Sequence, residues 1–452
     1  MTLSRRDLGR LLAGASATAA LAHLGVTAAL ADTSTYRAMV GVFLFGGNDA
    51  WNMVVPNDSR YTAYASQRGA IALKQDTLMP LTGTAFALHP AFAPLKTAWD
   101  EGALSAVLNT GTLYQPLTKS LFQSRPDLRP LNLMSHEDQQ NEWQGMRVRE
   151  KNLDGFMGRI LDKAVQTDVP ALISVAGSQL ALIGRTASPL VLPSSGGISR
   201  YGYVTSPPDG PVKARQAALD VFADTSAFGA VTDLTGRGMS SAYAQARTAD
   251  TIISAASSTV DQYFKNPTTG AALTSDIAKQ LLRAARMIEA RNTLGHAKQT
   301  FFVSQGGYDT HTNELATHST LYADLAMALA GFYNAMKALG LANNVTAFTM
   351  SDFGRVFKPN SNGGTDHAWG SNHLVLGAAL ASRKVHGRYP DTTFGGPEDA
   401  NTDGRWIPSI AVEEYIGAIA QWYGVSASDM PYVFPNWSTW NGGGRGPVPL
   451  FG

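Results

Sequence analysis

Apolar and polar positions along the chain fall into two recurring patterns. Short apolar runs closed by Gly, Asn, Ser or Asp predict strands at Met39 to Phe45, Leu104 to Asn109, Ala171 to Val175, Gln299 to Ser304, Val345 to Met350 and His373 to Leu380. Apolar positions at three-and-four spacing predict helices at Val212 to Phe222, Ser240 to Tyr263, Ser275 to Ala290, His318 to Leu339 and Val412 to Tyr423. Strands and helices that alternate in this way point to an α/β fold with a mostly parallel sheet covered on both faces. The block from Ser199 to Ala297 is helix-dominated and reads as an insertion or cap on that sheet, not as a separate domain.

The chain has 452 residues, 44% hydrophobic and 16% charged, enough for a large core. With 36 basic and 35 acidic residues the formal charge is +1, so no whole-chain field draws in nucleic acid or an anionic membrane. The absence of cysteine excludes disulfides, thiolate metal sites and a cysteine nucleophile. The first residues are unlike the rest. Ser4-Arg5-Arg6-Asp7-Leu8 is a twin-arginine pattern, Leu11 to Leu30 is an apolar run rich in alanine and glycine, and Ala29-Leu30-Ala31 offers a cleavage site before Asp32. Residues 1–31 are therefore expected to be an export signal and residues 32–452 a periplasmic or secreted domain without a permanent membrane span. The twin-arginine machinery and a signal peptidase are its expected partners. That route carries folded proteins, which would allow a cofactor to be loaded beforehand.

In an open sheet of this kind, ligands collect beyond the carboxyl ends of the strands, so the polar residues following each strand carry the chemistry. Asp49 follows the first strand in "GGNDAWNMVVP", Asp309 and His311 follow Gln299 to Ser304 in "QGGYDTH", and Asp352 and Arg355 follow Val345 to Met350 in "SDFGR". "GGTDHAWGSNH" adds Asp366, His367 and His373. Carboxylates and neutral imidazoles are the ligand set for zinc, manganese and similar divalent ions. Asp309 and His311, two apart, share a face in an extended segment. Four aspartates converging at one sheet end would repel one another prohibitively without cations or protonation, and two divalent ions about 4 Å apart would offset that charge.

Taken singly, an aspartate after a strand is a turn or helix-cap residue as readily as a ligand, and His89, His296, His318 and His386 read as packing or surface residues. In "LNLMSHEDQQNEWQG", Ser135 stands where a helix would begin. It is either a nucleophile activated beside a metal or the helix cap, with His136 a competing base or ligand and Thr110 and Thr112 more remote candidates. Near the C-terminus, "FPNWSTWNGGG" suits either a binding surface or a tail wrapped on the domain.

The twin-arginine start, "GGNDAWNMVVP", "SHEDQQNEWQ", "GGYDTH", "SDFGR" and "GTDHAWGSNHLVLGAAL", in that order, resemble the domain-of-unknown-function family 1501. That family is similar in fold to the alkaline phosphatase and sulfatase superfamily. The resemblance spans essentially the whole mature chain and implies a three-layer α/β sandwich around a mixed, mostly parallel sheet. It implies an early aspartate, matched by Asp49, and a hydroxyl nucleophile, for which Ser135 stands. Asp309 and His311 have one intervening residue where the superfamily has three, and Phe353 breaks an Asp-His pair at Asp352 that Asp366-His367 supplies later. "QSRPDLRP" puts Leu128 where a sulfatase motif needs arginine, which argues against a formylglycine enzyme.

The expectation is an exported hydrolase of phosphate or sulfate esters, on small molecules or polymers. It would use one or two divalent ions (zinc, manganese, calcium or magnesium) held among Asp49, Asp309, His311, Asp352, Asp366, His367 and His373. Ser135 would attack and Arg355 would hold the transferred group's charge. The alternatives are a non-catalytic periplasmic binding or assembly protein that retains the fold, and a metal-dependent isomerase or transferase.

Overall fold

A computed structural model of the chain describes residues 36–198, 210–223, 230–381 and 384–452. The expected export signal lies outside the described residues. Among the described residues nine strands form one sheet, numbered here in chain order: β1 (Arg37–Leu44), β2 (Leu104–Gly111), β3 (Leu172–Ser174), β4 (Leu190–Val191), β5 (Lys298–Gln305), β6 (Val345–Ser351), β7 (Ser371–Leu376), β8 (Val385–His386) and β9 (Ile410–Ala411). All six predicted strands are present, with shifted ends. The order across the sheet is β8-β2-β7-β6-β1-β5-β3-β4, with β9 also pairing β2. Every pairing is parallel except the two made by β7, which runs against β2 and β6. The sheet is mixed and mostly parallel, as expected.

The apolar run of β1 serves both faces because strand side chains alternate. Ala38, Val40, Val42 and Leu44 enter one core, and Met39 and Phe43 enter the other. The first core is roofed by two helices, Asp276–Glu289 and Glu314–Ala338, and the second by Phe156–Leu161 and Val412–Tyr423. Helix, sheet and helix make three layers. The last helix of the helix-rich block, Asp276–Glu289, sends Leu281, Ala285 and Ile288 into the first core, so it belongs to a layer of the sandwich and not to a cap. The C-terminal aromatic segment is a wrapped tail, since Trp437 and Trp440 are both buried. His89, His296, His318 and His386 are buried as well, which selects packing from the two roles, packing or surface, expected of them. Among the described residues no helix is long and apolar enough to cross a membrane.

The glycines closing β1 have a steric reason. Gly46 and Gly47 take positive φ values of 114° and 78°; a Cβ on Gly46 would collide with the backbone at Asp309, and one on Gly47 with the Phe353 ring. Only glycine lets the three strand ends beyond β1, β5 and β6 close on one another here.

Candidate metal centre

The carboxyl ends of β1, β5 and β6 meet the first turn of helix α1 (His136–Gly145), and four side chains converge there. Asp309, reached eight residues after Phe301 by the glycine-rich turn beyond β5, keeps its carboxylate 46% exposed. Its Oδ1 lies 3.0 Å from His311 Nε2 and 3.1 Å from His367 Nε2, and its Oδ2 lies 3.4 Å from His136 Nε2. His136, Asp309 and His367 each bring one ligand atom into a group whose members all lie within 4.8 Å. His311 adjoins it, with Nε2 3.1 Å from His367 Nε2.

What turns the rings this way is a second set of contacts behind them. His136 Nδ1 lies 2.7 Å from Asp352 Oδ2, His367 Nδ1 2.9 Å from the Met134 carbonyl, and His311 Nδ1 3.0 Å from Asp366 Oδ1. Carbonyl and carboxylate oxygens accept hydrogen bonds, so Nδ1 carries the proton in each neutral ring and Nε2 presents a lone pair. Three lone pairs then crowd one carboxylate, an arrangement that either protons or a cation must relieve. This pattern, with every imidazole backed by an acceptor, is the one metal-binding histidines adopt. Ligand atoms around a tetrahedral ion with bonds of about 2.0–2.2 Å stand roughly 3.3–3.6 Å apart. Within the group of three, His136 Nε2 lies 3.4 Å from Asp309 Oδ2 and His367 Nε2 lies 3.1 Å from Asp309 Oδ1, close to that spacing. The residues fit a divalent ion.

The carboxylates are held by different partners. Burial pushes Asp309 up, but the Arg355 hydrogen bond, the His367 contact and the Arg355 charge outweigh it and bring the group to about 2. The hydrogen bond to Asp352 raises His136 against the effect of burial, and burial lowers His367 despite the Met134 carbonyl. Asp352 is fully buried and also accepts Gln140 Nε2 at 2.8 Å and the Gly46 N–H at 3.2 Å, so it is locked in place.

The sequence matches the model of a protein family of unknown function, DUF1501, over residues 185–401. None of the curated proteins matches the chain. Among solved structures, it is similar to the lipoteichoic acid synthase LtaP of Listeria monocytogenes, at 8% identity and a TM-score of 0.29, over 80% of this chain and 68% of that one. It is also similar to the alkaline phosphatase of Thermus thermophilus, at 13% and 0.26, over 71% of this chain and 60% of that one. A third is Ps i-CgsB, at 9% and 0.32, over 89% and 77%.

The matched segment holds Asp309, His311, Asp352, Arg355, Asp366 and His367, whereas His136 comes from outside it. Of the expected ligands, Asp309, His311 and His367 are brought together. Asp352 and Asp366 stand one layer back, each orienting a histidine. Asp49 is not at the centre: it is fully buried in an ion pair with Arg68, which also lies 3.4 Å from Glu314. Burial pushes Asp49 up, but the Arg68 charge prevails and lowers it; burial and the Asp49 charge push Glu314 well above the usual range. Within this trio the Arg68 charge thus favours the ionised form of Asp49, and burial beside Asp49 favours the protonated form of Glu314. His373 is also elsewhere, buried between Trp143 and Tyr415, with burial pushing it down to about 3.

Arg355 is buried and does not face solvent. It donates to Asp309 Oδ1 at 2.8 Å, to the Gly46 carbonyl at 3.2 Å and to Thr365, so it positions Asp309 and does not reach for a substrate. Ser135 is the cap of α1, its Oγ accepting the Asp138 N–H at 3.4 Å. Thr112 donates to Gln139 at 2.7 Å, and Thr110 is buried in β2. Sequence reasoning missed Arg68, Glu314 and Gln140. Glu314 opens its helix and Arg68 closes one, so each looks like an ordinary first-turn or last-turn charge.

Proposed function

We propose that the chain is a metal-dependent hydrolase of phosphate or sulfate esters, exported through the twin-arginine route, with one divalent ion held by His136, Asp309 and His367. The observation that carries this reading is the set of three imidazoles, each backed at Nδ1, with their Nε2 atoms gathered on the Asp309 carboxylate. Three protein ligands leave the fourth position that a catalytic site requires. The ion, when bound, supplies polarisation of an ester oxygen and a lowered pKa for water.

The chain's own residues do the rest. Arg355 fixes Asp309 in place. Asp352 and the Met134 carbonyl fix the two ligand rings. His311, 44% exposed and backed at Nδ1 by Asp366, presents its Nε2 lone pair and is the group placed to take a proton from the attacking water and hand it to the leaving oxygen. Helix α1 begins at His136, so its first N–H groups and the positive end of its dipole lie beside the ligands, which favours an anionic ester. Ser135 is spent on the cap, and the attacking group is water.

Metal analysis of the purified full chain, with turnover of p-nitrophenyl phosphate and p-nitrophenyl sulfate, tests this. The expected result is about one ion per chain, lost in His136→Ala and Asp309→Ala but retained in His311→Ala, with turnover lost in all three. A wild-type chain that takes up no ion after incubation with zinc or manganese would overturn the reading.

A further inference from the structure

A cavity of about 460 Å³ opens at the other end of the sheet from the metal centre, where β5 begins. That volume is in the range of small-molecule sites. Ile160, Leu161, Ala164 and Val165 form one apolar wall, and Tyr423 and Val425, at the end of the helix Val412–Tyr423, form another. Most polar groups around it are already engaged. His296 has one ring nitrogen on the Val169 carbonyl at 2.8 Å and the other on Gln299 Nε2 at 2.9 Å, and Lys163 lies 3.5 Å from Asp429.

Lys298 differs. It is the first residue of β5 and lies in register with Arg37, the first residue of β1, so two cations stand side by side at the sheet's amino edge. Among the described residues, neither has a carboxylate within ion-pair distance. Arg37 lies over the Trp422 ring at 5.3 Å, and the Lys298 ammonium, which lines the cavity, donates to the Tyr423 carbonyl and lies 4.8 Å from the centroid of the Tyr423 ring, neither of which supplies a full counter-charge. A partly buried ammonium beside a guanidinium is costly without a counter-charge, and burial followed by the Arg37 charge pushes Lys298 down to about 8. An anion seated there relieves both.

We propose that this cavity binds a small amphiphilic carboxylate, its anionic head on Lys298 and its apolar body between Leu161, Val165 and Val425. The site is separate from the metal centre and does not depend on its chemistry.

Calorimetric titration of the full chain with octanoate, octanol and octylammonium tests the proposal. Octanoate should bind, octanol at least tenfold more weakly and octylammonium not at all. Lys298→Met should weaken octanoate at least tenfold while Lys298→Arg retains it. Thermal melts check that Lys298→Met is folded, because the variant also loses a donor to the helix end, and Lys298→Arg carries the test if it is not. Equal binding of octanoate and octanol, no binding of any probe, or octanoate binding unchanged in a folded Lys298→Met would overturn it.

Discussion

His136 Nδ1 and Asp352 Oδ2 lie 2.7 Å apart, and this contact aims the opposite nitrogen of the ring at Asp309. Asp352 is fully buried and held by Gln140 and Gly46, so the ring it orients has little freedom. Asp352→Asn should therefore leave the fold intact but lower zinc affinity roughly 10–100-fold, the usual scale for such partners. Competition with a chromophoric chelator measures it. An unchanged affinity would mean that His136 is not a ligand.

Asp49 and Arg68 separate structural aspartates from ligating ones. Asp49→Ala removes the nearer partner of a fully buried guanidinium and leaves it Glu314 at 3.4 Å, so the loss should be at most the roughly 3–5 kcal/mol usual for breaking a buried pair. Urea denaturation should show that loss, while the protein that remains folded keeps the metal content of the wild type. Loss of the ion from folded Asp49→Ala would return Asp49 to the ligand set.

Ser135→Ala distinguishes cap from nucleophile. Losing the cap should cost about 0.5–2 kcal/mol in a denaturant titration. Turnover of the ester should stay within a few-fold of wild type. A fall of a thousandfold in a folded variant would make Ser135 the attacking group.

Glu413 gives a pH dependence. Burial, with Glu414 and Glu142 nearby, pushes its carboxyl up from 4.5 to about 8. Between those values the folded chain keeps a proton that the unfolded chain has lost, so this group makes stability fall as pH rises, by up to about 1.4 kcal/mol per unit. Below pH 4.5 the group adds no pH dependence. Glu413→Gln should flatten that slope and raise the urea midpoint at pH 8 more than at pH 5. Parallel profiles for the two proteins would refute the assignment.

The export signal is tested apart from the fold. Replacing Arg5 and Arg6 with lysine should hold the full chain in the cytoplasm, read by cell fractionation. Normal export of that variant would remove the twin-arginine assignment.

Much of the architecture was legible because strand and helix periods are local properties of the chain. The apolar runs at Met39 to Phe45 and Val345 to Met350 had to be buried on both faces, and a parallel sheet between helix layers satisfies that. The glycine-aspartate turns were legible as a class, since three follow a strand and the fourth, with Asp366 and His367, leads into β7. Asp309, His311 and His367 were recovered in that way, and His136 only as a competitor of Ser135. Which turn aspartates would ligate was not legible: Asp49, Asp309, Asp352 and Asp366 look alike in sequence, yet one pairs with Arg68, one sits among the imidazoles and two stand behind histidines.

Local sequence thus determined the elements, the sheet and the segments that border its carboxyl edge, because hydrophobic period and turn chemistry act over a few residues. Only the tertiary structure decided the roles. The partners that set them, Arg68 for Asp49, Arg355 for Asp309 and His136 for Asp352, lie 19, 46 and 216 residues away along the chain. A carboxylate's charge state and task depend on the cation or ring that folding places within about 4 Å of it.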